Sequence, residues 1–251
     1  MPVKLSDLVV HCNQLLQTNE FDDYCPNGLQ VDAGQVEIKH VVTGVTASQA
    51  LIDAAVGANA DLLLVHHGFF WKGEPAPLTG LKGNRVRALI QGGVSLLAYH
   101  LPLDAHPQLG NNRRLGELFG FDNVAALHDK GLIWGGFPRE PMSPQALTEH
   151  ITDRLGREPL HIAGGDDLIR QVGWCTGAAQ SYIEQAVGLG CGAFISGEIS
   201  EQTVHLAREL GVHYFAAGHH ATERYGVQAL GEHLVEQFGV SHQYIDIDNP
   251  V

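Results

Sequence analysis

Histidine is the residue around which the chemistry of this chain gathers. There are 15 in 251 residues, and several close apolar runs. "LLLVHHGFFW" contains His66 and His67; "VSLLAYHLPLD" contains His100, with Asp104 four residues on; "YFAAGHHATE" contains His219 and His220, with Glu223 four residues after His219. Imidazole and carboxylate donors with no thiolate beside them suit zinc, manganese, iron, cobalt or nickel, and not a closed cysteine site. Two such cations about 3.5 to 4 Å apart, bridged by a carboxylate, generate a nucleophile from water and clamp both oxygens of a displacement. Glu223 is the bridging candidate. A single HH pair is also compatible with a satisfied core histidine. The repeated His and acid spacing at the ends of apolar runs favours metal binding.

The spacing makes local demands. Neighbouring side chains of a strand point to opposite faces, so His66 and His67 can share a target only if the chain leaves the strand at His67 and Gly68, or if each serves its own ion. His219 and Glu223 share a face if the last helix begins there. Pro102 disfavours a helical Leu101, so Asp104 is expected to reach in from a turn. Glu198 in "ISGEIS" stands in the place of the first histidine pair, either supporting a ligand or capping the next helix; His100 and Glu198 are the candidate proton carriers, with His220 in reserve. "TGVTAS" and "TGAAQS" fit either a phosphate cradle or tight strand-to-helix turns. Phe69, Phe70 and Trp71 fit either a stacking surface or packing, and His205 and His213 read as structural.

The elements that must position these residues alternate along the chain. A helix over "LSDLVVHCNQLLQ", with Ser6 as its cap, precedes a turn at Pro26, Asn27 and Gly28. "HVVTG", "DLLLVHH" and "VSLLAYH" read as strands, and "ASQALIDAAVGA" and "GNRVRALIQGG" as helices. The second half repeats the order: strands at "QVGWCTG", "GAFISGE" and "VHYFAAGHH", helices at "AQSYIEQAVGLG", "SEQTVHLARELG" and "TERYGVQALGEHLVEQFG". The expectation is an α/β fold of two topologically related halves, an internal duplication with mainly parallel sheets in three layers. The halves would span residues 1–124 and 170–251. A connecting piece, 125–169, carries a helix at "MSPQALTEHITDRLG" with Ser143 as cap and Pro144 at its first position. In parallel sheets ligands gather beyond the carboxyl ends of the strands, where these histidines fall.

Composition excludes several classes. Hydrophobic residues at 44% and charged residues at 17% describe a folded chain. A net charge of −13 repels nucleic-acid backbones and anionic membranes, so neither is an expected partner. No apolar run is long enough to span a bilayer and the start does not read as a signal peptide, which makes the cytoplasm the expected location. Cys12, Cys25, Cys175 and Cys191 are far apart and read as reduced core thiols.

Six motifs in order, "PNGLQV", "VTGVTASQA", "VHHGFFWKGE", "YHLPLDAHPQLGNN", "FISGEISEQTVH" and "AAGHHATER", resemble the Nif-three-like family of dinuclear metal proteins, often labelled type-two GTP cyclohydrolase I, in its short bacterial form. The resemblance implies two divalent ions per chain held by His66, His67, Asp104, His219 and Glu223, with the glutamate touching both, and His100 beside them. It also implies a ring-shaped homohexamer, and hydrolytic opening of the guanine ring of GTP by attack at C8 with loss of formate. The alternative is a protein that uses the same ligands without turnover, as a regulatory binder or metal carrier.

Overall fold

The structure, a computed structural model, describes residues 2–128 and 131–251; Met1, and Asp129 and Lys130 within the expected connecting piece, lie outside the described residues. The chain divides into two compact units, Met1–Leu103 with Gly226–Asp248, and Asp104–Tyr225 with Asn249–Val251. These divisions lie elsewhere than the expected 1–124, 125–169 and 170–251. The piece 125–169 lies within the second unit and supplies part of its sheet and core.

The first unit opens with β1 (Val3–Lys4), α1 (Leu5–Leu15), β2 (Gly28–Val31) and β3 (Glu37–Ile38), then β4 (His40–Thr46), α2 (Gln49–Gly57), β5 (Leu62–His67), α3 (Gly80–Gly92) and β6 (Ser95–Ala98). Strands β4, β5 and β6 are parallel neighbours because α2 and α3 carry the chain back across the sheet after β4 and β5, and β2 closes one edge antiparallel to β6. On one face Leu63, Val65 and Leu96 pack with Leu51, Ile52 and Ala55 of α2 and with Val86 and Leu89 of α3. Each fully buried aliphatic side chain there contributes about 1.5–3 kcal/mol by leaving water. Ser48 caps α2 by accepting from the Leu51 N–H at 3.2 Å.

The second unit takes over within α4 (Leu101–Ala105), which begins in the first, and continues with α5 (Asn111–Phe119), β7 (Asp122–Ala126), β8 (Trp134–Phe137), α6 (Pro144–Leu155), β9 (Leu160–Ile162) and β10 (Val172–Trp174). After these come α7 (Ile183–Gly188), β11 (Ala193–Ser196), α8 (Glu201–Leu210) and β12 (His213–Ala216). Its sheet runs β7-β8-β10-β11-β12-β9, with β10, β11 and β12 parallel and the outer pairings antiparallel. Apolar clusters cover both faces, Leu115, Leu147, Ile151 and Trp174 on one and Ile183, Ala207, Phe194 and Tyr214 on the other, so this unit is three layers deep. Ser143 accepts from the Ala146 N–H at 3.1 Å and Pro144 starts α6, as its sequence predicts.

The chain returns to the first unit along α9 (His219–Phe238) and ends in β13 (Ser241–Tyr244), which adds a parallel strand beside β4. The order β4-β5-β6 recurs as β10-β11-β12, each set parallel and linked through helices.

Local corrections concern ends of elements. Ser6 is not a cap: α1 starts at Leu5, and Lys4 precedes it with no side-chain bond. Gly28 belongs to β2 rather than to the turn, with φ +108° that a Cβ would strain. Leu101 is helical despite Pro102, because its N–H donates to Asp23 Oδ2 at 3.0 Å and the Leu103 N–H to the His100 carbonyl at 2.8 Å. Asp104 therefore stands on a short helix and not in a turn.

Candidate metal centre

In the first unit, β5 extends through His67, which pairs with Thr46, so the chain does not leave the strand at the histidine pair as expected. β6, however, pairs β5 only as far as Val65. Past that point the two imidazoles lie with centroids 4.6 Å apart, His66 fully buried and His67 half-buried. His100 follows β6 and brings its ring to 5.1 Å from His66 and 5.7 Å from His67. One donor atom from each of the three falls within 4.8 Å of the others.

Each ring is held by its Nδ1. His66 Nδ1 donates to the Tyr99 carbonyl at 2.9 Å, a bond that requires the proton on Nδ1 because a carbonyl only accepts. His67 Nδ1 pairs with Thr46 Oγ1 at 3.1 Å, and His100 Nδ1 with Asp23 Oδ1 at 2.7 Å. Asp23 is itself anchored: Asn27 Nδ2 donates to it at 2.8 Å while Asn27 Oδ1 accepts from the His100 N–H at 2.8 Å. Burial acts to raise the Asp23 pKa, but the His100, Asn27 and Tyr24 bonds outweigh it and hold the carboxyl below its ordinary value. Asp23 was missed by the sequence reading, since the 77 residues separating it from His100 leave no periodic signal.

In the second unit, α9 begins at His219, so Glu223 lies one turn on and its Oε2 is 2.9 Å from His219 Nε2. Glu198 accepts from His219 Nδ1 at 2.7 Å, which settles its open reading in favour of supporting that histidine. Burial lowers the His219 pKa, but hydrogen bonds and charge from Glu223 and Glu198 prevail and raise it to about 9. Asp104 is buried; its Oδ1 accepts from Asn111 Nδ2 at 2.9 Å and from Thr176 Oγ1 at 3.2 Å. Gly177, at φ +70°, makes room for the ion pair: a Cβ there would overlap the Glu223 carboxylate and crowd His219 Nε2. His220 is half-exposed and donates its backbone N–H to the Val251 carbonyl at 2.9 Å.

These donors fit divalent cations. Metal-binding histidines characteristically anchor one ring nitrogen on a carboxylate or carbonyl, as His66, His100 and His219 do here. One thiol departs from the expected all-nitrogen-and-oxygen surroundings: Cys25 lies with Asp23 and His100. Burial pushes its pKa up to about 12, so without a cation it stays a thiol. All four cysteines are buried and free.

Other sequence candidates resolve into structural roles. The Gly177 and Ala179 N–H groups of "TGAAQS" donate to Thr222 Oγ1 and Ser196 Oγ, both at 3.1 Å, and Ser48 of "TGVTAS" caps α2, so both stretches serve as turns. His213 is buried against His161 and the Asp166 carbonyl, while exposed His205 pairs with Glu201 along α8. Among the described residues no helix is long and apolar enough to cross a membrane.

Comparison with known proteins finds relatives along nearly the whole chain. The family model described as Duf34/NIF3 (NGG1p interacting factor 3) matches residues 3–250. A protein of Allochromatium vinosum called "GTP cyclohydrolase 1 type 2 homolog" is 55% identical over 97% of this chain and 96% of its own. Among solved structures, a protein called ybgI, described as of unknown function, is 46% identical with TM-score 0.95 over 99% of this chain and 100% of that one. TTHA1606 of Thermus thermophilus is 32% identical with TM-score 0.91 over 99% and 100% of the respective chains.

Proposed function

The chain belongs to the Duf34/NIF3 family, and on that premise we propose that it is a metal-dependent hydrolase using two divalent cations, with His66, His67, Asp104, His219 and Glu223 as ligands and Glu223 touching both ions. Carrying this reading is the shared wiring of the histidines: the Nδ1 atoms of His66, His67 and His219 are bound to Tyr99, Thr46 and Glu198, which makes Nε2 the atom each ring would give to a cation, in His219 the atom that meets Glu223. Cations in such a set supply Lewis acidity and activate water near neutral pH.

The chain's own groups do the rest. His100, with Nδ1 committed to ionised Asp23, keeps Nε2 as a base for the proton released by the attacking water and returns it to the leaving group. Glu198 fixes the ring plane of His219 rather than meeting substrate. The relatives' name makes a purine nucleotide the first substrate class to examine, and opening of the guanine ring of GTP the first reaction. A homohexamer is part of the same proposal; light scattering would then report about six times the chain's 27.1 kDa.

The test loads the protein with Mn²⁺ or Zn²⁺, measures bound metal, and incubates it with GTP, other nucleotides and simple phosphoesters. Turnover that disappears in Glu223→Ala supports the hydrolase. Bound cations with no turnover on any of these compounds replace it with the binding or carrier reading, and absence of bound cations overturns both.

A further inference from the structure

The three aromatic residues after the histidines divide in the structure. Phe69 is buried in the core of the first unit and Phe70 packs against that core. Trp71 turns to the histidines, its ring centroid 5.9 Å from His67 and 5.0 Å from His100. Tyr24 stands edge-on to His100 at 6.4 Å with 63% of its surface exposed.

This placement is held against backbone preference. Phe70 has φ +65°, a conformation that bulky side chains rarely adopt and that persists only where surrounding bonds enforce it. Glu74 Oε2 provides the enforcement, accepting from the Phe70 N–H at 2.7 Å and the Trp71 N–H at 3.2 Å. Lys82 pairs with Glu74 at 3.7 Å and lies over the Phe70 ring. The Lys72 N–H donates to the Tyr24 carbonyl at 2.7 Å, tying the two aromatic segments together. The indole N–H of Trp71 is already given to the Gly68 carbonyl at 3.2 Å, so what Trp71 offers a ligand is a π surface and not a hydrogen bond.

We propose that Trp71, with Tyr24 beside it, is the stacking surface for a planar nitrogen heterocycle of the substrate, selecting for a flat ring and not for one base over another. The inference rests on the metal-site reading above, because it takes the histidines as the place where the substrate reacts, and it adds the residues that grip the ring. Stacking of one base on an aromatic side chain has a worth of about 5- to 150-fold in affinity.

The test measures binding of guanosine, adenosine, ribose 5-phosphate and inorganic phosphate to cation-loaded protein by tryptophan fluorescence and calorimetry. Wild type is compared with Trp71→Phe, Trp71→Leu and Tyr24→Ala; Trp134 and Trp174, buried in the second unit, act as internal references. Both nucleosides should quench Trp71 saturably and ribose 5-phosphate should not. Trp71→Leu should weaken nucleoside binding about tenfold, Trp71→Phe less than threefold, and exposed Tyr24→Ala a few-fold without loss of fold, with equal cation content throughout. Nucleosides that bind Trp71→Leu as tightly as wild type, or that fail to bind cation-loaded wild type, overturn the proposal. Loss of cation binding in wild type would instead sink the metal reading, and the same titration without cations would still decide the role of Trp71.

Discussion

At the scale of single residues, several hydrogen bonds converge on Asp23. It accepts from His100 Nδ1 at 2.7 Å and from the Leu101 N–H at 3.0 Å, so it orients one imidazole and also closes the first turn of α4. Removing a carboxylate behind a functional histidine typically costs 10- to 100-fold in metal affinity or activity. Asp23→Ala is therefore expected to lower turnover of metal-loaded protein by about that factor, measured against Asp23→Asn, which keeps an acceptor but not the charge. A turnover unchanged in both variants would remove His100 from the chemistry. The resemblance pointed to His100 as lying beside the ligands; the residue that holds it is visible only in three dimensions.

At the scale of elements, glycines separate positions that shape the site from positions that only end helices. Gly177→Ala forces an L-residue to φ +70° and drives a methyl into Glu223, so it should destabilise the protein by about 1–3 kcal/mol and weaken cation binding together. Gly57, the last residue of α2, has open space around its Cα and no positive φ. Gly57→Ala should accordingly stabilise by about 0.4–1 kcal/mol, chiefly by narrowing the unfolded ensemble, with cation binding unchanged. Thermal melts and calorimetry of the two variants check both. The parallel strands β4, β5, β6, β10, β11 and β12 and the helices that link them were legible in the sequence, because periodicity and caps such as Ser143 are local, whereas the edge strands β2, β7, β9 and β13 were not. The helical Leu101 was not, since a carboxylate 78 residues away supplies what Pro102 withholds.

For the whole molecule, histidines outside the site set how stability follows pH. His11 and His233 meet head to head, Nε2 to Nε2 at 2.9 Å with rings 9° from coplanar, so one proton is shared and a second charge is resisted. Burial, then His233, lowers the His11 pKa; burial, then His213, lowers that of His161; burial likewise lowers that of His242. Above the ordinary value of 6.5 these groups are neutral in both states and their contribution is complete. Below it the unfolded chain takes up protons that the folded one refuses, and stability falls. His219 in metal-free protein works the other way, its contribution complete below 6.5 and lost as pH rises through about 9. The melting temperature of metal-free protein should thus peak near the ordinary value of 6.5 and fall on both sides of it. His233→Asn should flatten the acid side, and an unchanged acid slope in that variant would show that the pair does not govern it.

The sequence by itself determined the α/β alternation and the His and acid letters at the strand ends. Both depend on near neighbours along the chain: the period of a strand, the turn of a helix, a fixed spacing of four residues. Only the tertiary structure decided what holds the Nδ1 atom of each ring. The partners that settle it are a backbone oxygen at Tyr99, which has no letter of its own, and side chains at Thr46, Asp23 and Glu198, each brought up from 21 to 77 residues away. Contacts over such separations follow from how strands pair and helices pack, and a local pattern of residues carries no record of them.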